Sequence, residues 1–328
     1  MPSFNKPVEL ISCPHLGVFS ASGADTQAFL QSQLTQDMQT VSPSHAALAG
    51  FCTAQGRLWA SMLLAGNDNG GVVGVAYADL MESFLKRLRM FVLRSKVTIE
   101  PDTQTKVYGL TLSETDLDAF GQCCEASVSL TPLPPWQSQR TPFGQLIAMP
   151  SAQAGLVRFH LLATDEQVNG LCQAIGNQCH QTDDATGWQQ QDIEAGIGWV
   201  EAATQDLFIA QTLNLDLLGG VSFTKGCYPG QEVVARAHYR GTVKRRMHIA
   251  KIETVQDDLV AGTDIFETSE PDNPIGRLIS VVARADQTWA LFEAPFKALA
   301  GEPLRAGSAN GPQLHVQPLP YSLEYAST

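Results

Sequence analysis

Apolar and polar positions alternate along the first hundred residues in a pattern that predicts a small α+β unit. Residues 57–64 and 72–77 are apolar runs of strand length. They flank residues 67–71, Asn-Asp-Asn-Gly-Gly, which is a strong hairpin signal. Residues 80–91 carry apolar side chains at helical spacing, and residues 97–99 return as a strand. The order strand, strand, helix, strand predicts an α+β fold with a mainly antiparallel sheet.

Local signals predict where two of the helices begin. Thr164 and Gln167 have the spacing of a capping box, in which each side chain bonds the backbone N–H of the other residue. Asp79 and Glu82 predict a second box, with Asp in place of the usual Ser or Thr. The helix after Thr164 has Cys172 among its apolar positions, so this cysteine is predicted to belong to the core.

The pattern changes after residue 244. Short apolar runs lie between turns rich in Gly, Pro, Asp and Asn, which is typical of a small all-β domain. We therefore predict one region from 1 to 242, made of α+β subdomains, and a second from 243 to 328.

Composition and charge restrict the possible partners. The 328 residues are 44% hydrophobic and 16% charged, as in a globular protein, and their net charge is 21 − 33 = −12. Because phosphate contacts need Lys and Arg, direct tRNA binding is expected to be weak and confined to local basic clusters. The start of the chain has no apolar signal region, which predicts a cytoplasmic protein with no membrane partner.

The cysteines predict neither a disulfide framework nor a metal site. Their number is seven, and no secretory signal accompanies them. Cys172 and Cys179 are too far apart in sequence for a C-x-x-C knuckle, and no grouped cysteines resemble iron–sulfur ligands. We therefore expect no metal bound by the chain itself.

One stretch, residues 225–232, has the composition of a reactive loop. It reads Lys-Gly-Cys-Tyr-Pro-Gly-Gln-Glu, so two glycines bracket Cys227 and Lys225 precedes it by two positions. Glycine permits close backbone approach, and a nearby ammonium group favours a thiolate. These residues predict an exposed working thiol at Cys227 with Lys225 assisting it. The alternative is a small buried hydrophobe, which is the usual environment of a free cysteine.

The same stretch carries a family resemblance. K-G-C-Y-x-G-Q-E closely resembles the signature of the YgfZ-type folate-binding proteins, which are relatives of the glycine-cleavage T-protein, an aminomethyltransferase. Shorter matches extend the resemblance over nearly the whole chain, among them Glu194-Ala195-Gly196 and residues 318–323, Pro-Leu-Pro-Tyr-Ser-Leu. The resemblance implies a T-protein-like fold. In it, ferredoxin-like α+β units with antiparallel sheets, forming two interleaved subdomains, precede a small C-terminal β-barrel.

The resemblance also implies the function. It indicates a cytosolic, tetrahydrofolate-linked factor that supports assembly or repair of iron–sulfur enzymes, including the enzyme that methylthiolates certain tRNAs. Its partners would be folate and the iron–sulfur client enzymes or assembly proteins.

Folate offers a pterin edge, a flat ring and an anionic tail, and the resemblance supplies a candidate for each. Glu194 matches the T-protein glutamate that pairs with the pterin, and Trp188 matches a family Trp assigned to folate contact. Arg236, Arg240 and Lys244 are candidates for the tail, since Arg and Lys suit carboxylates. The alternatives are a solvated helix end for the glutamate and a core anchor for the tryptophan.

Two positions depart from the family pattern. Leu16 aligns where relatives often have a second Trp, so one wall of the ring site is weaker. The run at residues 56–61 aligns with the T-protein segment that holds its catalytic Asp, but it contains no carboxylate. We therefore expect a folate-binding protein that is not a conventional aminomethyltransferase, with a tetrahydrofolate-dependent one-carbon transferase as the alternative.

Overall fold

The computed structural model describes residues 4–124, 133–239 and 243–323. Its α-helices are α1 (Thr26–Gln33), α2 (Met81–Arg89), α3 (Leu117–Cys123), α4 (Asp165–Ile175), α5 (Thr186–Glu194), α6 (Gln231–Tyr239) and α7 (Phe296–Leu299). Its strands are β1 (Val8–Ser12), β2 (Leu16–Ser22), β3 (Ala47–Cys52), β4 (Leu58–Gly66), β5 (Val72–Tyr77), β6 (Thr98–Asp102), β7 (Lys106–Ser113), β8 (Ser138–Thr141), β9 (Gly144–Met149), β10 (Leu156–Ala163), β11 (Cys179–Thr182), β12 (Arg245–Ile252), β13 (Asp264–Glu267), β14 (Gly276–Arg284), β15 (Gln287–Pro295), β16 (Leu304–Ala306) and β17 (His315–Gln317).

The strands form three sheets. The first has the order β11-β1-β7-β10-β9-β8 and is mixed, because β1 pairs with β11 in parallel while its other pairs are antiparallel. This parallel pair departs from the predicted antiparallel sheet. The strands β1 and β11 lie far apart in sequence, so no hairpin signal could reveal their pairing.

The second sheet contains the predicted hairpin. Its order is β3-β4-β5-β2-β6, and β4 pairs with β5 antiparallel, from Leu63 opposite Val75 to Gly66 opposite Val72. The side-chain oxygen of Asn67 accepts from the backbone N–H of Asn69 at 3.1 Å and Gly71 at 2.8 Å, which closes the turn. The hairpin prediction is confirmed.

The third sheet is all antiparallel and lies in the C-terminal part of the chain. Its order is β16-β13-β14-β15-β12-β17, and it is curled as a half-barrel. The prediction of a β-rich C-terminal part is confirmed, while closure into a full barrel stays a prediction.

The chain divides into two compact units, each made of separate segments. The first comprises Met1–Leu30, Met38–Ala47 and Met62–Trp188, and the second comprises Gln31–Asp37, Leu48–Ser61 and Gln189–Thr328. A core around Leu110, Phe120 and Phe159 fills the first unit, and one around Ile265 and Phe292 fills part of the second. The boundary expected near residue 243 stays a prediction.

One capping box is confirmed and one is wrong. Thr164 accepts from the backbone of Gln167, whose side chain accepts from the backbone of Thr164 at 2.9 Å. Asp79 does not occupy the predicted N-cap position. A 3₁₀ turn, Ala78–Leu80, precedes α2 there, and neither element has a side-chain cap.

Cys172 packs, partly buried, against the core of the first unit, as expected, but its bonding was not predicted. It forms a disulfide with Cys179, and the two Cα atoms are 5.4 Å apart. The bond joins α4 to the start of β11. Two cysteines that flank a helix end and a short turn come within bonding distance only when the turn reverses the chain, which residue spacing alone does not show.

Within the described ranges, no helix combines the length and apolar character needed to cross a membrane.

Candidate functional site around Cys227

Cys227 is exposed, as its loop neighbours predict. It lies just before α6, in a segment with no helix or strand of its own. Tyr228 next to it is buried, and the Tyr228 backbone N–H donates to the Gln231 side chain at 3.3 Å. The thiol is therefore carried on a loop whose following residue is anchored.

The ammonium group of Lys225 is bound to the backbone rather than left in solvent. Its Nζ donates to the carbonyl oxygens of Leu34 at 2.6 Å and Gln36 at 3.0 Å, and also to that of Gln31. Burial lowers the pKa of Lys225 to about 8, and the carboxylate of Asp37 partly opposes this effect. Lys225 thus ties the Cys227 loop to the segment that follows α1, and its predicted assistance to the thiol stays a prediction.

A second set of bonds joins residues 35–36 to the run that precedes the Cys227 loop and to β3. The hydroxyl of Thr35 donates to the carbonyl of Gly220 at 2.6 Å and accepts from the N–H of Gly50 at 2.7 Å. The Gln36 side chain donates to the carbonyl of Gly219 at 2.6 Å. Residues 31–37 therefore form a rigid base for the loop.

The two glycines beside Cys227 have different roles. Gly230 has φ +80°, and a Cβ there would lie 2.4 Å from the carbonyl oxygen of Thr53. It allows the start of α6 to pack against the turn at Gly56, which itself has φ +75°. A Cβ at Gly226 would meet no atom within 4 Å, so this position has no steric need for glycine.

The α6 helix forms one side of an open cleft of about 500 Å³. Arg236, Glu232 and the exposed Tyr239 line it. The ring of His238 stacks on Phe223, with centroids 3.7 Å apart and planes 14° apart. Arg236 is thus placed beside an open cleft, whereas its predicted companion Arg240 lies outside the described residues.

The remaining cysteines lack the exposure of Cys227. All seven cysteines lie in the described ranges, and Cys13, Cys52, Cys123 and Cys124 are free but buried. Burial raises the pKa of the Cys52 and Cys124 thiols to about 12, so they stay protonated near neutral pH. In the described part of the chain, no group of three or more His, Cys, Asp or Glu is arranged to hold a metal.

Trp188 is fully buried near the start of α5. Gly109 of β7 provides its space, since a Cβ there would lie 2.1 Å from the ring. The guanidinium carbon of Arg158 is 4.1 Å from the ring centroid, and the His160 ring is 5.1 Å away. The indole N–H has no acceptor among the described residues. This packing agrees with a core anchor, and the folate contact predicted for Trp188 stays a prediction.

Glu194 ends α5 and is half-buried. Its Oε1 accepts from the Gln190 side chain at 2.8 Å. Two residues later, Gly196 has φ +66° and its carbonyl accepts from the hydroxyl of Tyr321 at 2.7 Å. The Asn214 side chain donates to that hydroxyl at 3.2 Å, so the short motif at Glu194 is fastened to the C-terminal motif by one tyrosine.

The two departures from the family pattern are both placed. Leu16 begins β2, is buried, and lies opposite Tyr77 of β5. In the run at residues 56–61, the Ser61 hydroxyl accepts from the N–H of Val200 at 2.8 Å. The chain also brings Asp206 beside this run, where its carboxylate accepts from the Thr53 hydroxyl at 3.4 Å.

Sequence reasoning missed the partners of Lys225. The carbonyls it binds are about 190 positions away in the chain, and backbone oxygens carry no sequence signal. The carboxylate of Asp37 was also missed, although its charge acts to raise the pKa of Lys225.

Comparison with known proteins shows the family of the chain. No protein-family model matches the chain. It is 30% identical to the tRNA-modifying protein YgfZ of Yersinia pseudotuberculosis, over 97% of this chain and 93% of that protein. Identity to the protein of the same name from Photorhabdus laumondii is also 30%, over 98% and 95% of the two chains. The chain belongs to the YgfZ family of tRNA-modifying proteins.

A solved structure supports the fold. The glycine cleavage system aminomethyltransferase T from Bartonella henselae superimposes with a TM-score of 0.71 and 15% identity, covering 96% of this chain and 86% of that chain. The fold is therefore T-protein-like and of the α+β class. At this level of identity the likeness concerns the fold alone.

Proposed function

We propose that this chain binds tetrahydrofolate and supports assembly or repair of iron–sulfur enzymes, including those needed for tRNA methylthiolation, with Cys227 as its working thiol. The observation that carries the proposal is the exposure of Cys227 on an anchored loop while the other free thiols are buried. The name of the family's curated members, tRNA-modifying protein, supports the link to tRNA. The proposed place of action is the cytoplasm.

The thiol chemistry follows from exposure and attachment. A thiolate is both a nucleophile and a soft metal ligand. An exposed one can briefly bind iron that belongs to a client, or attack an S–S bond of the client and release the client's own thiolate. Lys225 bonds one end of the loop to distant carbonyls, and Gly230 lets the other end pack closely against the turn at Gly56, which defines the position of Cys227. The client enzyme would approach the exposed side of this loop.

The residues present fit a folate ligand in two respects. The half-buried carboxylate of Glu194 has the chemistry needed to accept from the adjacent N–H groups of a pterin. The buried indole N–H of Trp188 lacks an acceptor among the described residues, and a ligand oxygen or nitrogen would satisfy it. Arg236, beside its open cleft, is a candidate for the anionic tail. When bound, tetrahydrofolate would supply a carrier of one-carbon units.

Complementation tests the thiol. In cells lacking the native protein, Cys227→Ser should fold normally, bind folate with unchanged affinity, and fail to restore tRNA methylthiolation. Cys13→Ser is the matched control, because its hydroxyl can keep the bond that the thiol makes to the carbonyl of Ile11. Full rescue by Cys227→Ser would show that the thiol has no chemical role.

Folate titration tests the ligand separately. We expect tetrahydrofolate to quench tryptophan fluorescence and Glu194→Gln to weaken binding about tenfold, since charge-assisted hydrogen bonds contribute on the order of 1.5–3 kcal/mol. Glu100→Gln removes the same charge from an exposed position on β6 and should change nothing. Equal affinity in both variants would remove Glu194 from the site.

A further inference from the structure

A second charged cleft lies in the unit that contains Leu48–Ser61 and Gln189–Thr328. Its volume is about 230 Å³. Five of the residues that line it are charged, three arginines and two carboxylates: Arg57, Arg245, Arg277, Asp264 and Glu293. Neither the thiol nor the folate proposal uses any of these side chains.

The three guanidinium groups are held in place from different sides. Arg245 donates to both carboxylate oxygens of Glu293, at 2.7 and 2.9 Å, and Glu293 is buried. Arg277 donates through Nε to Asp264 at 2.8 Å. Arg57 donates through Nη1 to the carbonyl of Leu207 at 2.7 Å. Each arginine is therefore positioned by the protein before any ligand arrives.

The position of Arg57 is reinforced by its backbone. The segment that starts β4 pairs with residues 206–209. Arg57 bridges to Ile209, and the N–H of Leu58 donates to the carbonyl of Phe208 at 2.7 Å. Phe208 and Leu207 belong to the same cleft wall. The backbone of Arg57 is thus held by strand-like hydrogen bonds to residues 206–209.

After these contacts, the cleft retains positive charge and N–H donors that have no acceptor in the described part of the chain. Three guanidinium groups and two carboxylates line the cleft, so its lining has one more positive than negative group, on a chain of net charge −12. A guanidinium has five N–H donors. Among the described residues, Nε and Nη2 of Arg57, both Nη atoms of Arg277, and Nη1 of Arg245 donate to no recorded acceptor.

We propose that Arg57, Arg245 and Arg277 form a binding site for a phosphate group. The planar N–H fork of arginine matches phosphate oxygens. A phosphate dianion carries more charge and more acceptor oxygens than a carboxylate ligand, so it can accept from more of the remaining N–H donors of the three arginines. The phosphate can belong to a small phosphomonoester or to the backbone of an RNA, and these two sources share the same chemistry.

Calorimetric titration of the full chain with inorganic phosphate, at fixed ionic strength, tests the site. Arg57→Gln and Arg277→Gln should each weaken phosphate binding about tenfold, the effect of losing a charge-assisted contact. Arg284→Gln is the matched control, because it removes the same charge from β14 while its recorded contact is Gln190, outside the cleft. Arg245 is left intact, since its loss would strand the buried Glu293.

The outcomes separate the proposal from a general charge effect. No phosphate binding, or an equal loss in Arg284→Gln, would overturn it. The proposal is independent of folate, so unchanged tetrahydrofolate binding in Arg57→Gln is expected. Titration with labelled tRNA then identifies the source. If the same two variants weaken tRNA binding, the site takes a backbone phosphate. If they weaken only inorganic phosphate, it takes a small phosphorylated molecule.

Discussion

The Nζ atom of Lys225 lies 2.6 Å from the carbonyl oxygen of Leu34, a residue 191 positions earlier in the chain. Together with the bonds to Gln31 and Gln36, it attaches the loop of the signature motif to residues 31–36. A lysine placed this way controls where Cys227 lies, whatever effect its charge has on the thiol.

Lys225→Met is expected to loosen the loop. The variant keeps the apolar stem but leaves three carbonyls without their donor, which should lower the free energy of unfolding by about 1–3 kcal/mol. Urea denaturation measures this effect, and Lys297→Met on the exposed side of α7 is the control. An unfolding free energy equal to that of the control variant would show that the three bonds do not stabilise the loop.

The two glycines around Cys227 should respond differently to the same change. Gly230→Ala places a Cβ against the Thr53 carbonyl at φ +80°, and should destabilise the protein by about 1–3 kcal/mol. Gly226→Ala has open space and should stay within about 0.5 kcal/mol of wild type. Thermal melting of the pair checks this, and similar melting temperatures would contradict the assigned role of Gly230.

Local signals were sufficient for some elements and not for others. The box at Thr164 and Gln167 and the turn at Asn67 depend on residues within four positions of one another, and both predictions are confirmed. The prediction at Asp79 is wrong because the chain enters α2 through a 3₁₀ turn, so that Asp79 does not occupy the N-cap position. Tertiary contacts decide where such a helix begins, and the spacing of residues in the sequence does not show those contacts.

The same limit applies to the site. Loop composition correctly predicts the exposure of Cys227, since Gly, Lys and Pro beside a cysteine disfavour burial. It cannot reveal that Lys225 binds backbone carbonyls of a distant segment, nor that Gly109 makes room for Trp188. These contacts join elements far apart in the chain. Lysine and glycine occur in many other settings, so their presence alone does not predict such contacts.

Trp188 can be tested without destroying the core. Trp188→Ala would remove a fully buried ring and cost about 3–5 kcal/mol, so any loss of folate binding would be ambiguous. Trp188→Phe keeps an aromatic ring against Gly109 but replaces the indole with a smaller ring that has no N–H. If that N–H serves folate, Trp188→Phe should bind tetrahydrofolate several-fold more weakly while still folding cooperatively. Unchanged affinity would identify Trp188 as a core residue only.

The last prediction concerns acid stability and His248. This residue lies in β12, buried against the rings of Phe292 and Phe296. Burial, with the positive charge of Arg246, lowers the pKa of His248 to about 4. The unfolded chain binds the proton near the ordinary pKa of about 6.5, so between these values the unfolded state holds more protons than the folded one.

Folding stability should therefore be unaffected by this group above about pH 7 and should fall as the pH drops from about 6.5 toward 4. The loss at pH 4.5 is about 2.5 kcal/mol, because this pH lies about two units below the pKa of the unfolded chain and each unit corresponds to 1.36 kcal/mol. Urea unfolding at pH 7.5 and 4.5 measures it for wild type and for His248→Gln, which cannot titrate. The variant should lose less stability on acidification than wild type. An equal loss in both proteins would mean that carboxylates elsewhere, rather than His248, determine the acid sensitivity.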